Sequence, residues 1–237
     1  MRRVVSNMGK TGAENAMLTH EMAPTSLCLA LVGGYLDSFT YLTKGGVFAN
    51  AQTGNIVLLG IAAAEGDFLA AARTFAPIAA FVAGVLLTEL FKRRATVFKW
   101  QRAVLAIEAA LLVLIGIITL PDFAVNVIIS LVCAVQVNSF RTTNGLSFAS
   151  TMCTGNLRSG TEKLAEFIEK RSLASLRQSL RYFSVILVFI VGALFGGLLS
   201  PRLGDSSMFL CAAVLAVVLI YDFIYEKFTE KKAVSGE

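Results

Sequence analysis

Charge is scarce in this chain. Asp, Glu, Lys and Arg make up 16% of its 237 residues, where a soluble domain carries about a quarter. Histidine is scarcer still, with only His20, in a polar stretch near the start. The four cysteines, Cys28, Cys133, Cys153 and Cys211, stand apart with no C-x-x-C pair. Three of them sit in apolar blocks and read as small apolar fillers, Cys153 in a polar break. Together these shortages leave no metal site at the usual ligand spacings. The chain also lacks a Walker loop, a dinucleotide fingerprint, a G-x-S-x-G elbow and an H-E-x-x-H helix. Ser38 and Ser139 have no histidine in the apolar body to activate them. No cofactor, no metal and no catalytic residue is therefore expected. An intramembrane enzyme using Asp37 with Glu108 is the weakest reading, because no spacing recommends it.

What the chain has instead is apolar length. Hydrophobic residues make up 56% and the mean hydropathy is +0.70. They fall in blocks of about 18–20, enough to cross a ~30 Å hydrocarbon core at ~1.5 Å per residue. The net charge of +5 comes from basic runs at block ends, such as Lys92-Arg93-Arg94, where the positive-inside rule explains them without nucleic acid. The expected organisation is a flexible cytoplasmic lead (1–25), one membrane domain (26–226) and a cytoplasmic tail (227–237). The first apolar block comes too late, and without an A-x-A-like site, for a cleaved signal.

The membrane domain repeats itself. At an offset of 101 positions Asp37-Ser38-Phe39 falls on Asn138-Ser139-Phe140, and Thr53-Gly54-Asn55 on Thr154-Gly155-Asn156. Phe81-Val82-Ala83-Gly84 matches Phe189-Ile190-Val191-Gly192 at an offset of 108. Two units result, 26–120 and 123–226. Each reads as an apolar helix with a polar end (Ser26–Thr43; Phe123–Arg141), a Gly/Asn/Ser/Thr-rich break, a shorter helix from Thr-Gly-Asn, and two full-length helices. The full-length helices are Ala70–Phe91 and Gln101–Leu120 in the first unit, Tyr182–Leu199 and Ser207–Tyr225 in the second.

Charge decides whether the short helices cross. If they enter and return, leaving six crossings, 18 of the 21 Lys and Arg lie on the N-terminal side and only Lys44, Arg73 and Arg202 on the other. Eight crossings would split them 12 against 8 and strand Arg158 in the membrane, a cost of several kcal/mol. Three crossings per unit is an odd number, so the second unit is inverted. The expected fold is therefore an all-α membrane protein of six transmembrane helices plus two re-entrant, broken half-helices in two inverted repeats. Both termini are cytoplasmic. Such paired breaks place a solute site at the repeat interface near the midplane.

Three segments carry a family resemblance: Gly33-Gly34-Tyr35-Leu36-Asp37-Ser38-Phe39, Ala51-Gln52-Thr53-Gly54-Asn55 and Cys153-Thr154-Gly155-Asn156-Leu157-Arg158. With them the chain resembles, over about residues 24–226, the YoaK family of bacterial membrane proteins, a domain of unknown function. The resemblance implies a small bacterial inner-membrane protein of about six helices. It implies no substrate and no reaction.

The breaks supply the candidate site. Thr53 and Thr154 suit helix N-caps, Gly54 and Gly155 allow close backbone approach, and Asn55 and Asn156 offer amides to a solute or to each other. Two helix N-termini facing one another would favour an anion or a carboxylate. Alternatively the motifs merely cap two half-helices and lock the units together. Asp37, deep in the first helix, is a candidate proton carrier or cation ligand, or else pairs with Arg141 or a broken backbone. Its mate Asn138 has the shape without the charge. Arg141 reads as a positive-inside anchor before an anion clamp, and Glu108 as snorkelling to the cytoplasmic face before a proton relay. Glu89 and Asp222 read as solvated at helix ends. The Gly192/Gly196 pair suits close helix contact within the fold before a dimer, leaving room for a homo-oligomer.

The candidate solute-binding set is thus Asp37, Gln52, Thr53, Gly54, Asn55, Asn138, Arg141, Thr154, Gly155 and Asn156. The first reading is a small secondary transporter or channel for a polar, anionic or carboxylate-bearing solute. The second is a non-transporting scaffold or accessory subunit.

Overall fold

The computed structural model describes residues 24–91, 97–140, 142–143, 146–147 and 153–235. It is helical throughout, apart from one short ladder pairing β1 (Thr142–Thr143) with β2 (Leu146–Ser147). The helices are α1 (24–43), α2 (Gln52–Ala64), α3 (Phe68–Phe91), α4 (Val97–Ile117), α5 (Asp122–Ser139), α6 (Cys153–Lys170), α7 (Leu173–Leu203) and α8 (Met208–Ser235).

Among the described residues four segments are long and apolar enough to cross a membrane: Phe68–Phe91, Trp100–Ile117, Asp122–Ser139 and Leu173–Ile224. The last is 52 residues long and folds back at a short 3-10 turn, Gly204–Ser207. There Gly204 adopts φ +56°, open to a residue without a β-carbon.

Helix direction follows from contacts at the two ends. At one end Lys44, just past α1, pairs with Asp205 (2.7 Å) and with Asp122 at the start of α5 (3.3 Å). At the other, Asn138 Nδ2 donates to Glu89 Oε1 (2.9 Å), joining the ends of α5 and α3. Trp100 Nε1 donates to Ser139 Oγ (2.8 Å), and Arg102 donates to the Asp222 carbonyl (2.9 Å). Hence α1, α4 and α7 run one way, and α3, α5 and α8 the other.

The buried core lies among α1, α4, α5 and α8, with Leu36, Phe39, Leu105, Ile129 and Leu215 almost fully enclosed. The outer helices α3 and α7 turn large apolar side chains outward, among them Leu86, Leu90, Leu187 and Leu194. This inside-out face suits lipid and would be a liability in water.

Small residues set the closest contacts. Gly192 of α7 lies against the Leu31 carbonyl of α1, and Gly196 against Tyr35. Gly84 of α3 meets α5 likewise: a β-carbon there would stand 2.6 Å from the Leu131 oxygen. Both pairs run parallel. In lipid, where apolar burial does not drive helix association, such backbone approach is the main source of packing energy.

Several helix bounds differ from the sequence expectation. α7 begins at Leu173, nine residues before Tyr182, because Ser172 accepts from Ser175 N (3.3 Å) as N-cap and the added polar turns pair with α6. α6 has 18 residues and is strongly amphipathic, longer than a half-helix. Its outer face carries Arg158–Glu162 and Lys163–Glu166 ion pairs. The Lys163 ammonium holds the Glu166 carboxyl below its usual range. α8 continues through the expected tail to Ser235.

Candidate functional site

The first turns of α2 and α6 meet at one cavity of about 650 Å³, lined also by α1 and the 48–51 segment. Phe81 from the middle of α3 and Phe189 from the middle of α7 complete the wall. The volume falls within the roughly 300–1,000 Å³ of small-molecule sites. α2 and α6 start at this cavity and lead away in opposite senses. α2 turns back into α3 through Glu65–Asp67, while α6 runs antiparallel to α7, with Ser179 Oγ donating to the Gly160 carbonyl (2.8 Å).

Of the expected site residues, Asp37, Gln52, Thr53, Thr154 and Gly155 line this cavity. Thr53 and Thr154 are repeat mates, and so are Phe81 and Phe189. Ser38 and Cys153 line it too. Ser38 Oγ donates to the Ala193 carbonyl (2.8 Å), fastening α1 to α7 beside the opening.

Asp37 is 5% exposed, and its Oδ1 accepts from Asn50 N (2.6 Å). A carboxylate from α1 thus meets the backbone immediately before α2. This also corrects the expected caps. The N-cap of α2 is Ala51, with no side-chain bond of its own, so Thr53 lies inside the first turn and its hydroxyl is not the cap. Thr154 is likewise the second residue of α6.

Asn55 serves the backbone instead of the cavity. Asn55 is fully buried: its Oδ1 accepts from Phe48 N (2.9 Å), and its Nδ2 donates to Phe48 O (2.8 Å) and to Gln52 Oε1 (3.0 Å). Gly54 lies so close to the Phe48 ring that a β-carbon would stand 2.8 Å from it. Asn156 is buried at 2% exposure, away from the lining. Asn138 is bound to Glu89 at the end of α5. Arg141 lies outside the described residues.

Sequence reading passed over the aromatic part of the wall. Tyr41 stacks on Phe48, with ring centroids 4.7 Å apart and planes 18° from parallel. The usable signal was the Phe81/Phe189 match, taken only as a mark of the repeat. Glu108 also departs from expectation. It does not snorkel but is fully buried, and both its oxygens accept from Gln136 Nε2 (2.9 and 2.8 Å). Among the described residues no group of three His, Cys, Asp or Glu could hold a metal ion.

Outward apolar helices of alternating direction define a multi-pass helical membrane protein. Residues 25–221 match the family described as "Protein of unknown function (DUF1275)", and the chain belongs to that family. It is 28% identical over 219 residues to the "UPF0700 transmembrane protein YoaK" of Bacillus subtilis (strain 168), covering 88% of this chain and 94% of that one. No solved structure matches it.

Proposed function

We propose that this protein is a small secondary transporter or channel of the bacterial inner membrane, with a polar solute held in the cavity between the two breaks. One observation carries the reading: repeat mates from both units, Thr53 with Thr154 and Phe81 with Phe189, line a single cavity beside the middles of α3 and α7. Irregular backbone at membrane depth belongs where it faces a cavity or is packed by protein. Solute sites of inverted-repeat carriers lie at such interfaces.

The proposal includes six crossings by α1, α3, α4, α5, α7 and α8, with α2 and α6 as elements starting inside the membrane and both termini cytoplasmic. Three features support it. The six helices alternate in direction. Gly84 of α3 packs on α5 as its mate Gly192 of α7 packs on α1, which a two-fold exchange of units would produce. α4 lies antiparallel to its mate α8, with Gly116 against Phe209 and Arg102 bonded to Asp222. No catalytic step belongs to the proposal.

Reconstitution into proteoliposomes tests it. Solute-dependent counterflow, abolished by a bulky Thr154→Trp in the cavity at unchanged melting temperature, is the expected result. Protein that carries no solute but copurifies with a fixed partner would instead identify a scaffold.

A further inference from the structure

The expectation of an anionic solute rested on two helix N-termini pointing into one space. In the folded protein a carboxylate already stands beside one of them, because Asp37 accepts from Asn50 N, two residues before α2. Asp37 is also the only residue carrying formal charge at neutral pH among the described lining residues, and none of them is basic. An anion entering here would meet a buried carboxylate in a low-dielectric setting without a compensating cation.

The rest of the wall has its own preference. Tyr41, Phe48, Phe81 and Phe189 contribute rings, and an aromatic face attracts a cation within about 6 Å of its centroid. Carboxylate oxygens together offer about four lone-pair sites. Asp37 also meets the backbone of Ala51 and Ala49, and about four sites against these three amides leave room for one more partner. A bare metal cation would want several oxygen ligands, whereas this lining is largely carbon. The group that fits carries one delocalised positive charge on an apolar body.

We propose that the cavity binds an amphipathic organic cation, a quaternary ammonium, phosphonium or aromatic amine, with Asp37 as counter-charge and the four rings as its box. The proposal rests on the cavity being the solute site but not on transport through it. Gln52 and Thr53 from one unit and Thr154 from the other supply the hydrogen bonds that orient a polar substituent. The head of α6, which also borders the space, bears on a ligand's electron-rich end.

Two ions of the same shape and opposite charge make the test. Tetraphenylphosphonium and tetraphenylborate are titrated into the purified full-length protein in nanodiscs, with empty nanodiscs as the blank. Saturable binding of the phosphonium, and only blank-level uptake of the borate, is expected. Asp37→Asn should weaken phosphonium binding at least tenfold, and Asp37→Glu should recover part of it.

Should Asp37→Asn fail to fold, Cys153 replaces it as the reporter. With Cys28, Cys133 and Cys211 changed to Ala, the remaining thiol should react faster with a cationic than with an anionic methanethiosulfonate, relative to the same pair on a free thiol. Phosphonium should slow that labelling. Saturable borate binding without phosphonium binding would overturn the proposal. So would faster anionic labelling, or no binding of either ion. Phosphonium binding without any flux would leave this inference standing and remove the transport reading.

Discussion

Asn55 holds both polar backbone groups of Phe48, accepting from its N–H at 2.9 Å and donating to its carbonyl at 2.8 Å. One side chain thereby satisfies a segment that neither helix nor strand could satisfy at that depth. It also sets the position of the Phe48 ring in the cavity wall.

Asn55→Leu should therefore act on folding before function. It leaves two buried backbone groups without partners, at about 1–3 kcal/mol each. We expect a loss of about 2–6 kcal/mol, seen as poor expression and a lowered melting temperature in detergent. Full stability with selective loss of ligand binding would show that the Asn55 amide faces the solute.

Gly192→Ala should cost at least about 2 kcal/mol, because the new methyl group overlaps the Leu31 backbone, which cannot move aside as a side chain would. Gly197→Ala is the control. Nothing lies within 4 Å of a β-carbon there, so its melting temperature should stay at or slightly above that of the parent. Equal behaviour of the two variants would disprove the close α1–α7 seat.

Gln136→Leu removes the donor to both oxygens of the fully buried Glu108. A loss of about 2–3 kcal/mol is expected. Adding Glu108→Leu should restore most of it, since replacing both partners by apolar groups comes near to neutral. A double variant as unstable as the single one would mean that Glu108 has another buried partner of equal weight.

Orientation can be read with single cysteines in a cysteine-free background. Glu65 and Lys170 suit this, Glu65 making no side-chain contact among those described and Lys170 only a weak pair with Glu166 (3.7 Å). An impermeant thiol reagent should label Glu65→Cys from outside the cell and Lys170→Cys only after lysis. Labelling of both from outside would rule out opposed half-helices.

Much of the framework was legible in the residues. Apolar length and the Thr-Gly-Asn motif marked the helices among the described residues and the irregular segment before α2, because bilayer thickness and backbone satisfaction allow few alternatives. The membrane character, the helical class and the family follow from them directly. Asp37 was marked out as a buried ionisable group, and the structure encloses it beside the break. What the residues could not convey was which way a small polar side chain turns. Asn55 in Thr-Gly-Asn is equally fit to face a solute or to bind Phe48, and only the tertiary path of residues 44–51 decides. The same holds for Glu108, where Gln136 comes from a different helix 28 positions away. Thr53 looked like a cap because its hydroxyl stands just before an apolar run, whereas α2 begins one residue earlier, at Gln52, with Ala51 as its N-cap.

Lys44, almost fully buried, bonds Asp205 at 2.7 Å and Asp122 at 3.3 Å. Lys44→Met should leave the partly buried Asp205 without its partner. A loss of about 1–3 kcal/mol is expected, and adding Asp205→Asn should restore part of it. A double variant as unstable as the single one would mean that packing of the lysine stem, rather than charge, is what the site needs.

The glycine seats bear on the order in which the chain can be put together. α1 leaves the ribosome first, yet the surface that receives its Gly34 face is α7, about 150 residues later. α5 likewise docks on α3 of the earlier unit, so neither unit closes around its own first helix. Until α7 arrives, Asp37 and the small-residue stripe of α1 stand open to lipid or to whatever holds them during synthesis. A chain arrested after its first four helices is then an unfinished object and not half of a working one.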